Sequence, residues 1–211
     1  PYAVSAIMIL DAATAKYTYL DSFAGSVVVS GLSSNTFYYA YAVSTNGTAT
    51  VEYSTTAPTT NSVNPLYKTG DETRRYLFTF YATGAAAVRP FYAIRGKYLW
   101  LDDPVYIVTS GAGSTSFSSS VSIAAAAPNH SKRLQLQVAL RDNNGSSNNL
   151  VKVRPGNTSL PGIPVCDIMA GGVDVKATEP VILPRIGDGG VEWKTAAADG
   201  VVDIVVAGWD E

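Results

Sequence analysis

A single histidine and a single cysteine limit what chemistry these 211 residues can perform. His130 stands in Pro128-Asn129-His130-Ser131, where an imidazole could serve as base toward the neighbouring hydroxyl. No Gly-x-Ser-x-Gly elbow occurs anywhere, and one imidazole in such a run reads as a solvated turn residue. Cys166, in Pro164-Val165-Cys166-Asp167-Ile168, shares a strand face with Ile168 and reads as a buried structural thiol. One Cys and one His also exclude an intrachain disulfide framework and a Cys/His zinc cluster.

Carboxylate pairs are the next candidates, because two acids flanking one glycosidic bond can hydrolyse it. Asp71-Glu72, Asp102-Asp103 and Asp210-Glu211 are all sequence neighbours. Neighbours on a strand point to opposite faces, which is the wrong arrangement for flanking one bond, though carboxylates from separate strands could still meet. Asp142-Asn143-Asn144-Gly145 lacks the alternate ligand spacing and distant Glu of a calcium loop and reads as a turn. Gly171-Gly172 and Gly187-Asp188-Gly189-Gly190 also read as turns, since no Lys-Ser/Thr follows to make a phosphate loop. Arg74-Arg75 face opposite ways on a strand and are expected to pair with Asp71, Glu72 or a neighbour. The expectation is therefore no catalytic residue, no cofactor and no metal site.

The elements that would position such groups are strands. Periodicity is two almost throughout, and Gly, Pro, Asn and Ser recur about every ten residues, as in an all-β sandwich or barrel. Phe37, Tyr39, Tyr41 and Val43 alternate before Asn46-Gly47, which supplies the positive φ angles of a type I′ turn; Val51 and Tyr53 alternate on the return. The alternating aromatics are expected to be core, with Tyr38 on the opposite, exposed or intersubunit face. A second hairpin is expected from residues 133–141, where Leu134, Leu136, Val138 and Leu140 alternate with Arg133, Gln135, Gln137 and Arg141. It would run through Asn144-Gly145 to Leu150, Val151 and Val153. Further strands are expected at 4–10, 17–20, 26–30, 74–81, 88–94, 97–101, 105–109, 121–124, 165–169, 191–194 and 201–207.

All 13 tyrosines lie at or before Tyr106, and a Gly/Ser stretch follows at 110–120. This places a boundary that divides the chain into modules 1–104 and 105–211, each antiparallel and sandwich-like, of jelly-roll type. Only 15% of residues are charged, where soluble domains average roughly 25%. A surface so poor in charge points to burial against other protein. The final strand is apolar on both faces, so it is either central between two layers or pressed against a neighbouring subunit; on the second reading Val202, Ile204, Val206 and Trp209 are expected at a subunit interface. A formal net charge of −2 without a basic stripe argues against nucleic acid. No apolar run reaches the roughly 18 residues of a membrane span, so no membrane insertion is expected. The start at Pro1, with no charged-then-apolar leader, reads as a processed chain or part of a longer one.

Several runs carry a family resemblance. The run from Asn35 through Tyr41, the Asn46-Gly47 hairpin, Ser54-Thr55-Thr56-Ala57-Pro58 and the run from Lys68 through Leu77 resemble a module of tailed-bacteriophage tail fibres and other virion appendage proteins. The run from Val121 to Pro128, that from Ser131 through Val138 and the ending from Gly200 to Glu211 are similar to a companion module and terminus. The resemblance implies a non-enzymatic structural subunit at the tail or capsid surface of a virion. It further implies a homotrimer whose partners are its own copies and other virion proteins. No heptad run or Gly-X-Y shaft is present, which fits a tip, short fibre or decoration protein. Two alternatives stand beside it: a receptor-binding or carbohydrate-binding tip, with a host surface glycan as partner, and a surface-glycan hydrolase.

Overall fold

The computed structural model describes every residue except 1, 5–6, 21–22, 26–28, 60–65, 95, 103–104, 143–147, 169–174 and 187–188. The Asn144-Gly145, Gly171-Gly172 and Gly187-Asp188 turns, most of the calcium-like run, Asp103 and much of the strand expected at 26–30 lie outside the described residues. Within the described residues the chain forms strands and no helix, and every pairing is antiparallel. The all-β expectation therefore holds. Two compact units divide the chain, Pro1–Arg89 and Pro90–Glu211. The boundary comes earlier than the expected 104/105, because strands Phe91–Ile94 and Lys97–Trp100 join the sheet of the second unit.

The first unit contains β1 (Tyr2–Val4), β2 (Ile7–Leu10), β3 (Tyr17–Leu20), β4 (Phe23–Gly25), β5 (Thr36–Thr45), β6 (Thr48–Ser54), β7 (Tyr67–Lys68) and β8 (Asp71–Ala82). Its main sheet runs β6-β5-β8-β7, and β2 pairs with β3 as β1 does with β4. The β5–β6 hairpin closes at Thr45↔Thr48 through Asn46 (φ 51°) and Gly47 (φ 76°), the type I′ geometry that Asn-Gly favours. Asp11 locks this turn from outside. Its Oδ2 accepts from the Gly47 amide at 3.0 Å and the Ser44 hydroxyl at 2.7 Å, and its Oδ1 from the Ala13 and Thr14 amides. The Gly47 amide first, then the Ser44 hydroxyl, hold the carboxyl well below the usual carboxylate range against the opposing effect of burial.

Strand β5 departs from expectation. Tyr38, Tyr39, Ala40, Tyr41, Ala42 and Val43 are all buried, so neither face is exposed. The strand is central, and aromatics from both neighbouring strands cover it. Tyr38 stacks on Phe80 at 5.6 Å and meets Tyr53 edge-on, while Phe37 packs on Tyr81 and Tyr41 on Tyr76. Phenol hydroxyls satisfy themselves at the rim: the Ser33 amide donates to Tyr38, Tyr41 donates to the Thr56 carbonyl and Tyr53 to that of Ser30.

The second unit contains β9 (Phe91–Ile94), β10 (Lys97–Trp100), β11 (Val105–Ala112), β12 (Arg133–Asp142), β13 (Asn149–Pro155), β14 (Ile163–Ile168), β15 (Val175–Pro184), β16 (Val191–Thr195) and β17 (Gly200–Asp210). One sheet runs β15-β12-β17-β10-β9, with β11 also pairing β17; the other runs β14-β13-β16. The expected β12–β13 hairpin is not formed. β12 is flanked by β15 and β17, whereas β13 pairs with β14 and β16. Leu134, Leu136, Val138 and Leu140 are buried as their alternation requires, and Cys166 on β14 donates its thiol to the Val138 carbonyl on β12 at 3.0 Å. The segment expected as a strand at 121–124 contributes only a bridge from Val121 to Val191.

Strand β17 is central in its sheet, and this corrects the interface expectation. Val202, Ile204, Val206 and Trp209 are each 0% exposed within the chain. Trp209 stacks on Tyr98 at 4.8 Å with the rings 3° from parallel, and tilts against Trp100. These side chains face the core of their own unit and have no surface left for a partner.

Candidate assembly face and charged sites

The register of the long sheet places its second face on the outside. Ile182, Gln135, Gly208, Leu99 and Tyr92 stand side by side across β15, β12, β17, β10 and β9. Neighbouring strands lie about 4.8 Å apart, so this row crosses about 19 Å. Gly208 has no side chain, and a Cβ there would run into the Tyr98 carbonyl and crowd Leu99, so the row is apolar apart from Gln135. Ile182 is 58%, Leu99 40% and Tyr92 51% exposed. Ile94, two residues along β9 from Tyr92, is exposed as well, and so is Tyr106, opposite Val205 on β11. Charges flank the apolar row along the strands: on the same face Arg141 of β12 lies 3.5 Å from Asp203 of β17. Asp210 lies among Arg133 at 2.9 Å and Gln135 at 2.8 Å, and Lys97 stands opposite it across β10–β17.

The adjacent acids Asp210 and Glu211 point to opposite faces, as strand alternation demands. Glu211 reaches inward, where its Oε1 lies 2.7 Å from His130 Nε2 and its Oε2 accepts the Tyr98 hydroxyl at 3.1 Å. The His130 side chain is 4% exposed, which corrects the expectation of a solvated turn residue. The turn is real: the Ser131 amide bonds back to the Pro128 carbonyl, and Arg185 clamps it through Pro128 O, Ser131 Oγ and Asn129 Oδ1. His130, Glu211 and Tyr98 have the residue types of an acid–base relay, yet burial closes them to a substrate. Their geometry ties the 128–131 turn to the last strand. Burial likewise pushes the Cys166 thiol up and makes it a poor nucleophile.

In the first unit the paired basic residues part ways. Arg74 binds Asp71 at 2.6 Å and Glu52 at 3.1 Å, with Lys68 also on Glu52, and Arg75 donates to the Met8 carbonyl.

A second charged site was not legible in the sequence. On one face of the small sheet the cross-strand pairs are Arg154↔Glu192 and Lys152↔Lys194. The first is matched: Arg154 and Glu192 meet at 2.6 Å. Burial raises the Glu192 carboxyl, but the Asn157 amide and Arg154 outweigh it and hold it below its ordinary value. The second pair opposes two like charges. Both lysines line a depression of about 270 Å³ with Thr115, Leu150, Thr195 and Ala196. Only the register of β13 on β16 brings them together, and no local spacing announces it. No protein-family model, curated protein or solved structure matches this chain.

Proposed function

We propose that this chain is a non-enzymatic structural subunit of a tailed-phage virion, carried in a fibre or surface appendage and joined to copies of itself, as a trimer on the motif resemblance. In this reading each unit is a sandwich-like module, which the Cys166–Val138 contact between the two sheets of the second unit supports. The observation that carries the reading is the outer face of the long sheet, where Ile182, Leu99, Tyr92, Ile94 and Tyr106 stand exposed. Burying a Leu or Ile side chain contributes about 1.5–3 kcal/mol, so covering this face with a second copy has a driving force that the sealed β17 side chains lack. The interface thus moves from Val202, Ile204, Val206 and Trp209 to the opposite side of the same sheet.

Light scattering of the purified chain tests the assembly. An oligomer that Ile182→Lys and Tyr92→Lys convert to monomer, with far-UV circular dichroism unchanged, is the expected result; a monomer at all concentrations overturns the reading. Antibody against the chain should decorate phage tails or capsids in electron micrographs, and decoration of no particle would remove the virion assignment.

A further inference from the structure

We infer that the depression between Lys152 and Lys194 binds a doubly charged oxyanion, a phosphate or sulfate group, free or as a monoester on a small organic body. Side chains directly opposite on antiparallel strands have Cβ atoms about 4.5–5.5 Å apart, and like charges there are destabilising. Two residues along the same face, Arg154 meets Glu192 in the same register and the charges cancel. At Lys152 and Lys194 nothing cancels: among the described residues neither lysine makes an ion pair. Asp167, which stands opposite Leu150 across β13–β14, pairs with neither.

The surroundings keep the two charges available. Arg154 is committed to Glu192, to the Leu160 carbonyl at 2.9 Å and to the Phe117 ring, whose centroid lies 3.7 Å from its guanidinium carbon. Phe117 also holds the Lys194 ammonium at 5.0 Å, a contact that orients a cation without neutralising it. The Thr195 hydroxyl spends its one proton within the chain, on Ala197 O at 2.6 Å with Ser114 O at 3.2 Å beside it, which leaves Thr115 as the neutral polar donor of the wall. Two ammonium groups neutralise a dianion where they would leave a monoanion with excess positive charge. Leu150 and Ala196 offer apolar wall to whatever carries the anion, and about 270 Å³ accommodates the charged group with a small body attached.

The test is a titration of the intact chain with inorganic phosphate and, separately, phenyl phosphate, at constant ionic strength held by chloride, read by amide chemical shifts. Saturable shifts confined to Thr115, Lys152, Lys194 and Ala196 are expected. Lys152→Gln and Lys194→Gln should each weaken binding about tenfold, the loss of one charge-assisted hydrogen bond, while Lys152→Arg retains it. Tighter binding of phenyl phosphate identifies a monoester as the ligand class; equal binding identifies the free anion. No saturable shift in the native chain, or equal shifts in both Gln variants, overturns the inference. Phosphate should also raise the native melting temperature beyond its effect on the Gln variants, which keeps the test decisive if one variant folds poorly.

Discussion

The two units solve the same problem, an excess of apolar surface, in opposite ways. In the first, β5 is sandwiched by rings on both faces; its Tyr38 and Tyr41 place their hydroxyls on Ser33 and Thr56 at the rim, and Tyr53 of β6 donates to Ser30. An amphipathic ring can be core at one end and solvated or bonded at the other, so these rings are buried within the unit itself. In the second, the inner face is aliphatic and fully buried around Leu134, Leu136, Leu140 and Ile204, with Trp209 as its aromatic keystone, whereas the outer face leaves Ile182, Leu99 and Tyr92 in water. The contrast teaches that a chain-wide shortage of charge need not mean a chain-wide interface. Among the described residues it separates into a buried aromatic layer in one unit and an exposed apolar face in the other.

Trp209→Ala should break the second unit. The side chain is fully buried and stacked on Tyr98, so its removal is expected to cost about 3–5 kcal/mol, seen in urea as loss of the second unit's transition. The first unit's counterpart is Asp11. Because its folded carboxyl is depressed, the unfolded chain takes up protons first, so the stability it contributes is present above about pH 3.9 and is lost as pH falls further. Asp11→Asn should lower the first unit's melting temperature at pH 7 and flatten that acid limb; an unchanged limb would assign acid sensitivity elsewhere.

Tyr41→Phe keeps the ring and deletes only the bond to the Thr56 carbonyl at 2.6 Å, so about 0.5–1.5 kcal/mol is expected by denaturant melts. A much larger loss would show that the hydroxyl, rather than the ring, organises the aromatic layer. Ile182→Lys should change monomer stability by no more than about 0.5 kcal/mol while reducing association, the signature of an exposed side chain used between copies. Cys166 should react with a thiol reagent far more slowly than a free thiol at pH 8, and at the unprotected rate only after the second unit unfolds.

What could be read in advance follows the range of the interactions. The Asn46-Gly47 turn was legible because two adjacent residues suffice to set its φ angles. The inward set on β12 was legible because alternation is local. Strand β15 is not legible locally, since Glu179-Pro180 interrupts its pattern. The proline is tolerated because β15 is an edge strand, a property of the assembled sheet. The burial of His130 depended on Glu211, far along the chain, and the opposed lysines on the register of β13 against β16.

By itself the amino-acid order determined that this protein is built from strands, where its sharpest hairpin turns, and that neither a disulfide framework nor a zinc cluster could hold it. Folding alone decided which strands become neighbours. That choice made β17 central and sealed its side chains, put the open apolar face on the other side of the same sheet, and left two like charges opposed. The physical reason is that turn chemistry and alternation act over a few residues, whereas strand pairing is settled by the best joint burial of segments distant in the chain.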